Sequence, residues 1–384
     1  PNLTAFSNIS PPSWPRRNPL KNQEIPKSRA SMEGQGNPPN TRATFSLAAA
    51  PGAAATVPGG SVDRLSRLPD HLFVYILLKL RIKQAGKTCA LSRHWRRMWA
   101  QLPVLEFEGV NSSVIVRALT AYQDHGEDDI HSFTVFSKQM DAQQILAWLS
   151  LTPPLLSGRL YFDNRHTVSP EALQRFLDDD EVEAAVRGDA LELPCFNKAT
   201  EILMDLGFLG LALPPVGVFD ALRMMWLEHF WFPGQLSISD TMFPSLQELI
   251  ICRVRGLVAL TLNSKFLLDI HLSVLPEFQE LNILAPRLEE LDVTDCFYDV
   301  LSEPVVSIAA ERLKVLRWEV PCVPDPVCLR KMPPLLVLQA PPISTHWSED
   351  ICAEFLNCFP EADQLKLQIS LRLFVLVQLG GYTF

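Results

Sequence analysis

The feature that most constrains this chain is a short apolar motif that recurs through its C-terminal half. The motif has the form Leu-x-x-Leu-x-Leu, with substitutions, and returns every 21 to 27 residues. Its clearest copies are PSLQELII at 244–251, PRLEELDV at 286–293 and ERLKVLRW at 311–318. This period is typical of repeats in which one strand and its return segment bury their apolar face only against neighbouring repeats, and it predicts an open solenoid. The anchor positions are Ala199, Leu222, Leu246, Leu267, Leu288, Leu313, Leu335 and Ala362.

These leucine-rich repeats are predicted to be irregular. Regular repeats carry an asparagine shortly after the strand, and here that residue is mostly absent. Cys252 and Cys296 follow two of the strands closely, while Glu228 and Glu319 occupy comparable places elsewhere. We therefore expect an α/β fold whose larger part, residues 108–345, is an irregular, curved leucine-rich-repeat solenoid.

The first part of this solenoid has a weaker pattern. Ala142–Leu151 is predicted to be helical and Phe133–Phe136 to be a strand. Both elements suggest degenerate repeats ahead of the clear ones. The acidic run Asp178–Glu183 is predicted to be a loop.

A different pattern, of three short helices, occupies Asp63–Phe107. In the first helix, Pro69 and Asp70 suit a helix start, and apolar residues follow at helical spacing. The second is predicted over Ile82–Leu91, and the third begins after Ser92, a suitable N-cap. Three helices in so few residues form a small module that needs a partner surface.

Composition sets limits on the remaining parts and on the compartment. Residues 1–60 are rich in Pro, Ser, Asn and Gly and are expected to form a disordered leader. Eight cysteines without a Cys-x-x-Cys pair fit neither a disulfide framework nor a zinc ribbon, which favours an intracellular, reducing compartment, the nucleus and/or the cytoplasm. The formal net charge of −9 combines a basic segment at 63–103 with a strongly acidic one at 104–384.

Two classes of partner are disfavoured by these patterns. The acidic segment would repel nucleic acid phosphates over most of its surface. No stretch reaches the roughly 20 charge-poor apolar residues that a membrane-spanning helix requires. We therefore expect neither nucleic acid nor membrane as a partner.

Motifs that would imply chemistry fail in their context. Gly86-Lys87-Thr88 resembles the end of a phosphate-binding loop, but a helical segment precedes it and Arg81 stands where the first glycine belongs. Cys322 with Cys328, and Cys352 with Cys358, have the wrong spacing for a zinc site. The sequence predicts no catalytic residue, no metal and no cofactor.

Aromatic residues crowd one repeat, MMWLEHFWFPG at 224–234. Trp226, His229, Trp231 and Phe232 could act as anchors for a substrate, since aromatic side chains presented from a solenoid often dominate binding. The alternative is that they fill the core or close the apolar end of an incomplete arc.

Taken together, the residues of Asp63–Phe107 resemble the F-box of plant F-box proteins with leucine-rich repeats. Leu68-Pro69, Leu91-Ser92-Arg93 and Trp95-Arg96 fall where that pattern places comparable residues, as do Leu72, Ile76, Leu80, Ala85 and Trp99. Residues 192–202 and 206–219 are similar to the repeat region of grass members. The segment 346–384 resembles the FBD-type end of such proteins, although 371–384 departs from that pattern and suggests a truncated or altered end.

The resemblance implies a non-catalytic substrate-recognition subunit of an SCF-type ubiquitin ligase. Its F-box, 61–107 here, would bind a Skp-family adaptor and through it a cullin, and its repeats would bind an unidentified protein substrate. The implied adaptor-binding residues are Leu68, Pro69, Leu72, Ile76, Leu77 and Leu80, with Leu91, Trp95 and Trp99 completing or supporting that surface.

One alternative remains open: a protein-interaction scaffold with a degenerate F-box that no longer recruits the adaptor. Cys89 replaces the usual serine of the pattern, and Gly86 lies inside the second predicted helix. Glycine costs about 1 kcal/mol relative to alanine in a helix interior, which would weaken the module.

Overall fold

The computed structural model describes residues 68–80, 82–88, 92–125, 129–138, 140–164, 190–297, 304–319, 337–340 and 364–367. All of them belong to the unit Leu65–Phe384. The predicted leader at 1–60 and the acidic loop at 178–183 lie outside the described residues. So does the FBD-like segment, apart from 364–367.

Three helices open the described chain, as the sequence predicts: α1 (Asp70–Leu78), α2 (Ile82–Thr88) and α3 (Arg93–Trp99). The predicted cap of α3 is confirmed, because the Ser92 hydroxyl accepts a hydrogen bond from the Trp95 backbone N–H at 3.3 Å. Helix α2 is described as far as Thr88, and the rest of its predicted span, 89–91, lies outside the described residues. Gly86, Lys87 and Thr88 lie within this helix, so the segment that resembles a phosphate-binding loop is helical.

Three parallel strands and two helices follow: β1 (Val104–Glu108), α4 (Ser112–His125), β2 (Ile130–Phe136), α5 (Ala142–Leu149) and β3 (Leu156–Asp163). Helix α5 begins with a capping box in which Asp141 and Gln144 satisfy each other's backbone N–H groups. The predicted helix and strand of this segment are both present, and the segment joins the same sheet as the clear repeats.

The remaining strands belong to the repeats. They are listed in chain order as β4 (Leu191–Glu192), β5 (Glu201–Ala212), β6 (Met224–Ser239), β7 (Glu248–Asn263), β8 (Asp269–Leu275), β9 (Glu280–Leu284), β10 (Glu290–Cys296), β11 (Val305–Ala309), β12 (Val315–Glu319), β13 (Val337–Ala340) and β14 (Gln364–Leu367).

One parallel sheet runs through the repeats in the order β1-β2-β3-β5-β6-β7-β8-β10-β12-β13-β14. A strand of this main sheet begins two residues after each of the eight anchors that the motif identifies, from Glu201 after Ala199 to Gln364 after Ala362. The motif therefore predicts the register of eight of the eleven strands of this sheet, and β1, β2 and β3 precede its first anchor. The fold is α/β, with a three-helix module followed by an irregular parallel-sheet solenoid.

The return side of the middle repeats carries a second parallel ladder, which the sequence pattern did not indicate. Residues 235–239 of β6 pair with 259–263 of β7, which pair with β9, which pairs with β11. Strands β6 and β7, at 16 residues each, therefore contribute to both ladders.

A left-handed residue marks the point where the chain leaves the main sheet. His229, Arg253, Val274 and Asp295 have φ values of 48°, 54°, 55° and 50°, and they occupy equivalent positions in four successive strands of the main sheet. Such a conformation is uncommon for residues other than glycine and costs of order 1–3 kcal/mol. Its repetition forms a corner between the main sheet and the return side.

The core lies between the main sheet and the return segments. Side chains alternate along each strand, so that Leu249 and Ile251 are buried while Glu248 and Ile250 are partly exposed on the opposite face. The six described anchors are at most 1% exposed, and burying a side chain such as leucine stabilises the fold by roughly 1.5–3 kcal/mol. Within the described residues, no helix is both long and apolar enough to cross a membrane.

Candidate partner-binding surfaces

Helix α1 leaves an apolar stripe uncovered on the helical module. Phe73 and Leu77 point inward and are fully buried. Leu72, Tyr75 and Ile76, three and four residues apart, lie on another side of the helix, where Leu72 is 38% exposed and Tyr75 56% exposed. We call Leu68, Pro69, Leu72, Tyr75 and Ile76 the α1 face.

The structure divides the nine predicted adaptor-binding residues into two groups. Leu68, Pro69, Leu72, Ile76 and Leu80 are exposed or half-buried. Leu77, Trp95 and Trp99 are interior, with exposed fractions of 1%, 6% and 5%, and Leu91 lies outside the described residues.

The interior three support the α1 face and do not form it, because a small module must bury its own side chains to fold. The Phe73 ring packs edge-on against the Trp95 ring, with centroids 4.7 Å apart, and this fixes α1 on α3. Tyr75 was missed by the sequence reasoning. Its position, three residues after Leu72, was the signal that could have identified it.

The four aromatic-repeat residues do not converge on one surface. Trp226 lies on the main sheet, half-buried between Leu203 and Ile250 of the neighbouring strands. His229 is buried at the corner, and its ring contacts Phe208 at 5.1 Å between centroids. Trp231 and Phe232 follow the corner and are half-buried, so of the four only Trp226 faces out from the main sheet.

The corner of β5, β6 and β7 holds a buried polar network. The carboxylate of Asp205 lies 2.9 Å from Nδ1 of His229, and Nη1 of Arg253 donates to Glu228 at 2.6 Å. Asp205 also accepts the backbone N–H of Gly207. Buried charges are tolerated only when they are paired and hydrogen-bonded, so this network satisfies the polar ends of three successive repeats.

The same network contains the described group that could hold a metal ion. Donor atoms of Asp205, Glu228 and His229 lie within 4.8 Å of one another. Two carboxylates and one imidazole are ligands that Zn²⁺ accepts. However, the Arg253 guanidinium is already paired with the Glu228 carboxylate, and a metal ion would have to displace it. Hydrogen bonds and ion pairs within the network therefore already engage all three side chains.

The face of the main sheet opposite the core, which we call the open face, carries two parallel rows of partly exposed side chains. In-register neighbours in parallel strands are about 4.8 Å apart, so each row is nearly continuous. The first row is Arg159, Glu201, Met224, Glu248, Asp269, Glu290 and Val315. The second row is Tyr161, Leu203, Trp226, Ile250, His271, Asp292 and Arg317.

Acids at both ends of the first row have cations on neighbouring strands. Arg159 pairs with Glu201, and Arg317 reaches Glu290 at 3.5 Å and Asp292 at 3.6 Å. The two acids between them, Glu248 and Asp269, have no ion-pair or hydrogen-bonding partner in the described part of the chain. They face each other directly across β7 and β8.

The pKa values of this pair reflect its position. Burial raises the pKa of the Glu248 carboxyl, and the charges of Asp269 and Glu201 raise it further. Burial likewise raises the pKa of the Asp269 carboxyl, with further contributions from Glu290 and Glu289. Like charges directly opposite each other on adjacent strands are destabilising, so the centre of the row is electrostatically unfavourable.

In the second row His271 is held as a cation. Its Nδ1 lies 3.1 Å from a carboxylate oxygen of Asp292. Burial opposes the charged imidazole, but hydrogen bonds with Asp292 and Cys252 outweigh it and raise the pKa of His271 to about 10. Burial also opposes the charged form of Asp292, yet His271, Thr294 and Arg317 lower the pKa of that carboxyl.

An open groove of about 700 Å³ lies beside α1, where Asp70, Val74, Asp129 and His131 contribute to its lining. Asp129 pairs with Lys198 at 3.0 Å. Asp70 lies 3.5 Å from an imidazole nitrogen of His94, a contact that becomes an ion pair when the imidazole is protonated.

Comparison with known families identifies the helical module. The F-box domain matches residues 65–107, a segment that contains the three helices and all of β1 except its last residue. The module and the α1 face thus belong to an F-box, and the resemblance inferred from the sequence is confirmed.

Relatives in Arabidopsis thaliana match the chain beyond this domain. One F-box/FBD/LRR-repeat protein is 26% identical over 289 residues, which is 70% of this chain and 55% of the relative. F-box/LRR-repeat protein 13 is 25% identical over 267 residues, 67% of this chain and 51% of the relative. An F-box protein is 50% identical over 50 residues, 13% of this chain and 12% of the relative.

The chain spans about half the length of the long-matching relatives. No solved structure matches it. Similarity to F-box/LRR proteins agrees with the order seen in the structure, an F-box followed by a parallel-sheet repeat solenoid.

Proposed function

We propose that this chain, which contains an F-box and is similar to F-box/FBD/LRR-repeat proteins, is the substrate-recognition subunit of an SCF-type ubiquitin ligase. In this proposal the F-box binds a Skp-family adaptor and through it a cullin. The repeats hold a protein substrate in position for ubiquitin transfer. The chain acts in the nucleus and/or the cytoplasm and supplies no bond chemistry of its own.

The observation that carries the proposal is the uncovered α1 face on an otherwise well-packed module. Folding has buried Phe73, Leu77 and Trp95, yet Leu72 and Tyr75 remain exposed beside Pro69. Exposed aromatic and aliphatic side chains grouped on one helix are typical of a protein-binding surface. The F-box segment is also basic, which suits an acidic adaptor and would raise the rate of encounter.

The solenoid supports the second half of the proposal. A parallel sheet of many repeats presents a long, regularly spaced surface, the type of surface that repeat proteins use to bind partners. The described cluster of histidine and carboxylates at the corner is fully engaged with Arg253 and the backbone, which favours binding over catalysis.

The test is capture of a purified plant Skp-family adaptor by the full chain, measured by calorimetry for wild type and two double variants. Leu72→Ala/Tyr75→Ala and Leu68→Ala/Pro69→Ala each shorten the α1 face while leaving the F-box core intact. Loss of a well-packed interface anchor costs about 1–2 kcal/mol, so we expect affinity to fall by roughly ten-fold or more in each.

The matched control is Leu284→Ala/Val305→Ala, which removes two side chains that are 53% and 58% exposed on the second ladder. It should bind the adaptor as wild type does. Thermal unfolding of Leu72→Ala/Tyr75→Ala and of the control should match wild type, because these side chains are exposed. Leu68 packs partly against the core, so Leu68→Ala/Pro69→Ala should unfold at a slightly lower temperature. Failure of folded wild-type chain to bind the adaptor would refute the proposal and favour the scaffold with a degenerate F-box.

A further inference from the structure

The centre of the open face combines uncompensated negative charge with apolar side chains. Glu248 and Asp269 are partly buried, face each other, and lack a cation in the described chain. Trp226 and Ile250 lie beside them in the second row. Trp226 is on the strand next to that of Glu248, and Ile250 is two residues after Glu248 on the same strand. The imidazole of His271, also on this face, is held by Asp292.

The contrast with the rest of the row is informative. Glu201 and Glu290, which flank the pair in the first row, each have an arginine on a neighbouring strand. Among the described residues, the acids that flank the pair in this row are therefore neutralised, while the two at its centre have no counter-charge. Two facing carboxylates weaken the folded state, and such a destabilising pair at the centre of an exposed surface is typical of a binding site.

We propose that the open face, centred on Glu248, Asp269 and Trp226, binds a protein segment that inserts an arginine or lysine side chain between the two carboxylates. This inference rests on the proposed function and names the substrate class of the repeats: a basic segment with apolar neighbours. The carboxylates would accept hydrogen bonds from the cationic head, and the Trp226 and Ile250 side chains would contact its aliphatic stem.

Charge complementarity favours a basic protein segment over nucleic acid or a metal ion as the ligand of the open face. The solenoid segment is acidic as a whole, so it repels nucleic acid and attracts basic segments from a distance. Arginine fits two adjacent carboxylates and an aromatic side chain better than a small ion does, because its planar guanidinium can donate to both and stack on a ring. A divalent metal ion would use the carboxylates and leave the apolar flank unused.

The test uses two fluorescein-labelled peptides, three repeats of Gly-Arg-Leu and three repeats of Gly-Glu-Leu, with binding to the full chain followed by fluorescence anisotropy. We expect the arginine peptide alone to bind, with an affinity that weakens as salt rises. In Glu248→Gln/Asp269→Asn the affinity should fall at least about ten-fold. The control Asp220→Asn/Glu311→Gln removes the same charge from exposed turn residues that precede β6 and β12 and should leave the affinity unchanged.

Two further readouts separate a binding role from a structural one. The double variant Glu248→Gln/Asp269→Asn should unfold at the same temperature as wild type or higher, since it removes repulsion; a clear loss of stability would show that the pair serves the fold. Equal loss of peptide binding in the control variant would show attraction to net charge only and overturn the proposal. Calcium binding that depends on the same pair, without preference for the arginine peptide, would replace it with a metal-ion site.

Failure here is distinguishable from failure of the proposed function. Glu248→Gln/Asp269→Asn should capture the Skp-family adaptor as wild type does, because the substitutions lie on the solenoid. Adaptor capture without any preference for the arginine peptide would refute the open-face site alone. Peptide binding by a chain that does not capture the adaptor would refute the ligase role and leave the open-face site standing.

Discussion

Breaking the ion pair between His271 and Asp292 should change how stability depends on pH. The pair joins β8 to β10 on the open face, with 3.1 Å between Nδ1 and the carboxylate oxygen. The substitution His271→Gln removes the charge and keeps a polar side chain. Asp292→Asn removes the other charge, and the two together complete a double-mutant cycle.

The magnitude follows from the raised pKa of His271. A pKa that rises from 6.5 to about 10 on folding means that the folded chain holds a proton which the unfolded chain releases above neutral pH. At about 1.4 kcal/mol per pKa unit the upper limit is near 5 kcal/mol. Since the pair is partly open to water, we expect the roughly 2 kcal/mol of a charge-assisted hydrogen bond.

The sign of the pH dependence is fixed by the same shift. A raised folded-state pKa contributes stability that is fully present below about pH 6.5 and is lost as pH rises toward 10. Asp292, whose pKa is lowered, contributes above its ordinary pKa and loses that contribution in acid. The pair should therefore stabilise the fold most between about pH 4 and pH 6.5.

The assay is urea unfolding of wild type and the three variants at several pH values from 6 to 10. The coupling energy in the cycle should be about 2 kcal/mol at pH 6 and should decline steadily above pH 6.5. A difference between wild type and His271→Gln that stays constant from pH 6 to pH 10 would refute the reasoning, because it would show that the imidazole charge does not contribute.

Three further predictions concern packing, backbone conformation and thiol chemistry. Leu249→Ala should destabilise the solenoid by about 2–5 kcal/mol in urea unfolding, whereas Leu284→Ala, at a 53% exposed position, should change it by less than about 0.5 kcal/mol. Gly256→Ala should destabilise the fold by about 1–3 kcal/mol, because φ is +77° and a Cβ would lie 2.8 Å from the Trp231 ring nitrogen. Gly86→Ala has open space around it in α2 and should stabilise the fold by up to about 1 kcal/mol. The opposite ranking of the two variants in thermal unfolding would contradict this reasoning. Burial raises the pKa of the Cys296 thiol well above its ordinary value, so peptide mapping after brief iodoacetamide treatment should find it unmodified in the native chain and modified in urea.

Sequence periodicity predicted the parts of this fold that depend on apolar spacing. The anchors from Ala199 to Ala362 locate the start of eight strands, because a buried leucine at a fixed distance before the strand is what packs one repeat on the next. The helices of the F-box and the Ser92 cap were likewise readable, since both depend on residues close together in the chain.

The sequence pattern did not predict the second ladder or the corner. Pairing of β9 with β7 and β11 depends on contacts between repeats, and neither alternation nor turn residues distinguish β9 from an irregular return segment. The left-handed positions carry His229, Arg253, Val274 and Asp295, not glycine, so composition gave no signal there. These conformations are imposed by neighbouring repeats.

The site predictions divide for a related reason. A helical stripe identifies which residues share a face but not whether that face points to solvent, so Leu77 was grouped with Leu72 although one is buried and the other exposed. Trp226 and His229 are three residues apart in sequence, yet the corner removes His229 from the surface. The open-face acids were invisible as a pair because Glu248 and Asp269 come from different repeats.

The distribution of charge across the repeats connects stability with binding. At the corner, where burial makes an unpaired charge most costly, Asp205 and Glu228 are each matched by a donor on a neighbouring strand. On the open face, where water lowers that cost, no described residue supplies a cation for Glu248 and Asp269. If the pair were merely tolerated, their neutralisation would raise stability with no other effect. A partner that supplies the missing cation gives the same acids a function, and the loss of arginine-peptide binding in Glu248→Gln/Asp269→Asn decides between these two accounts.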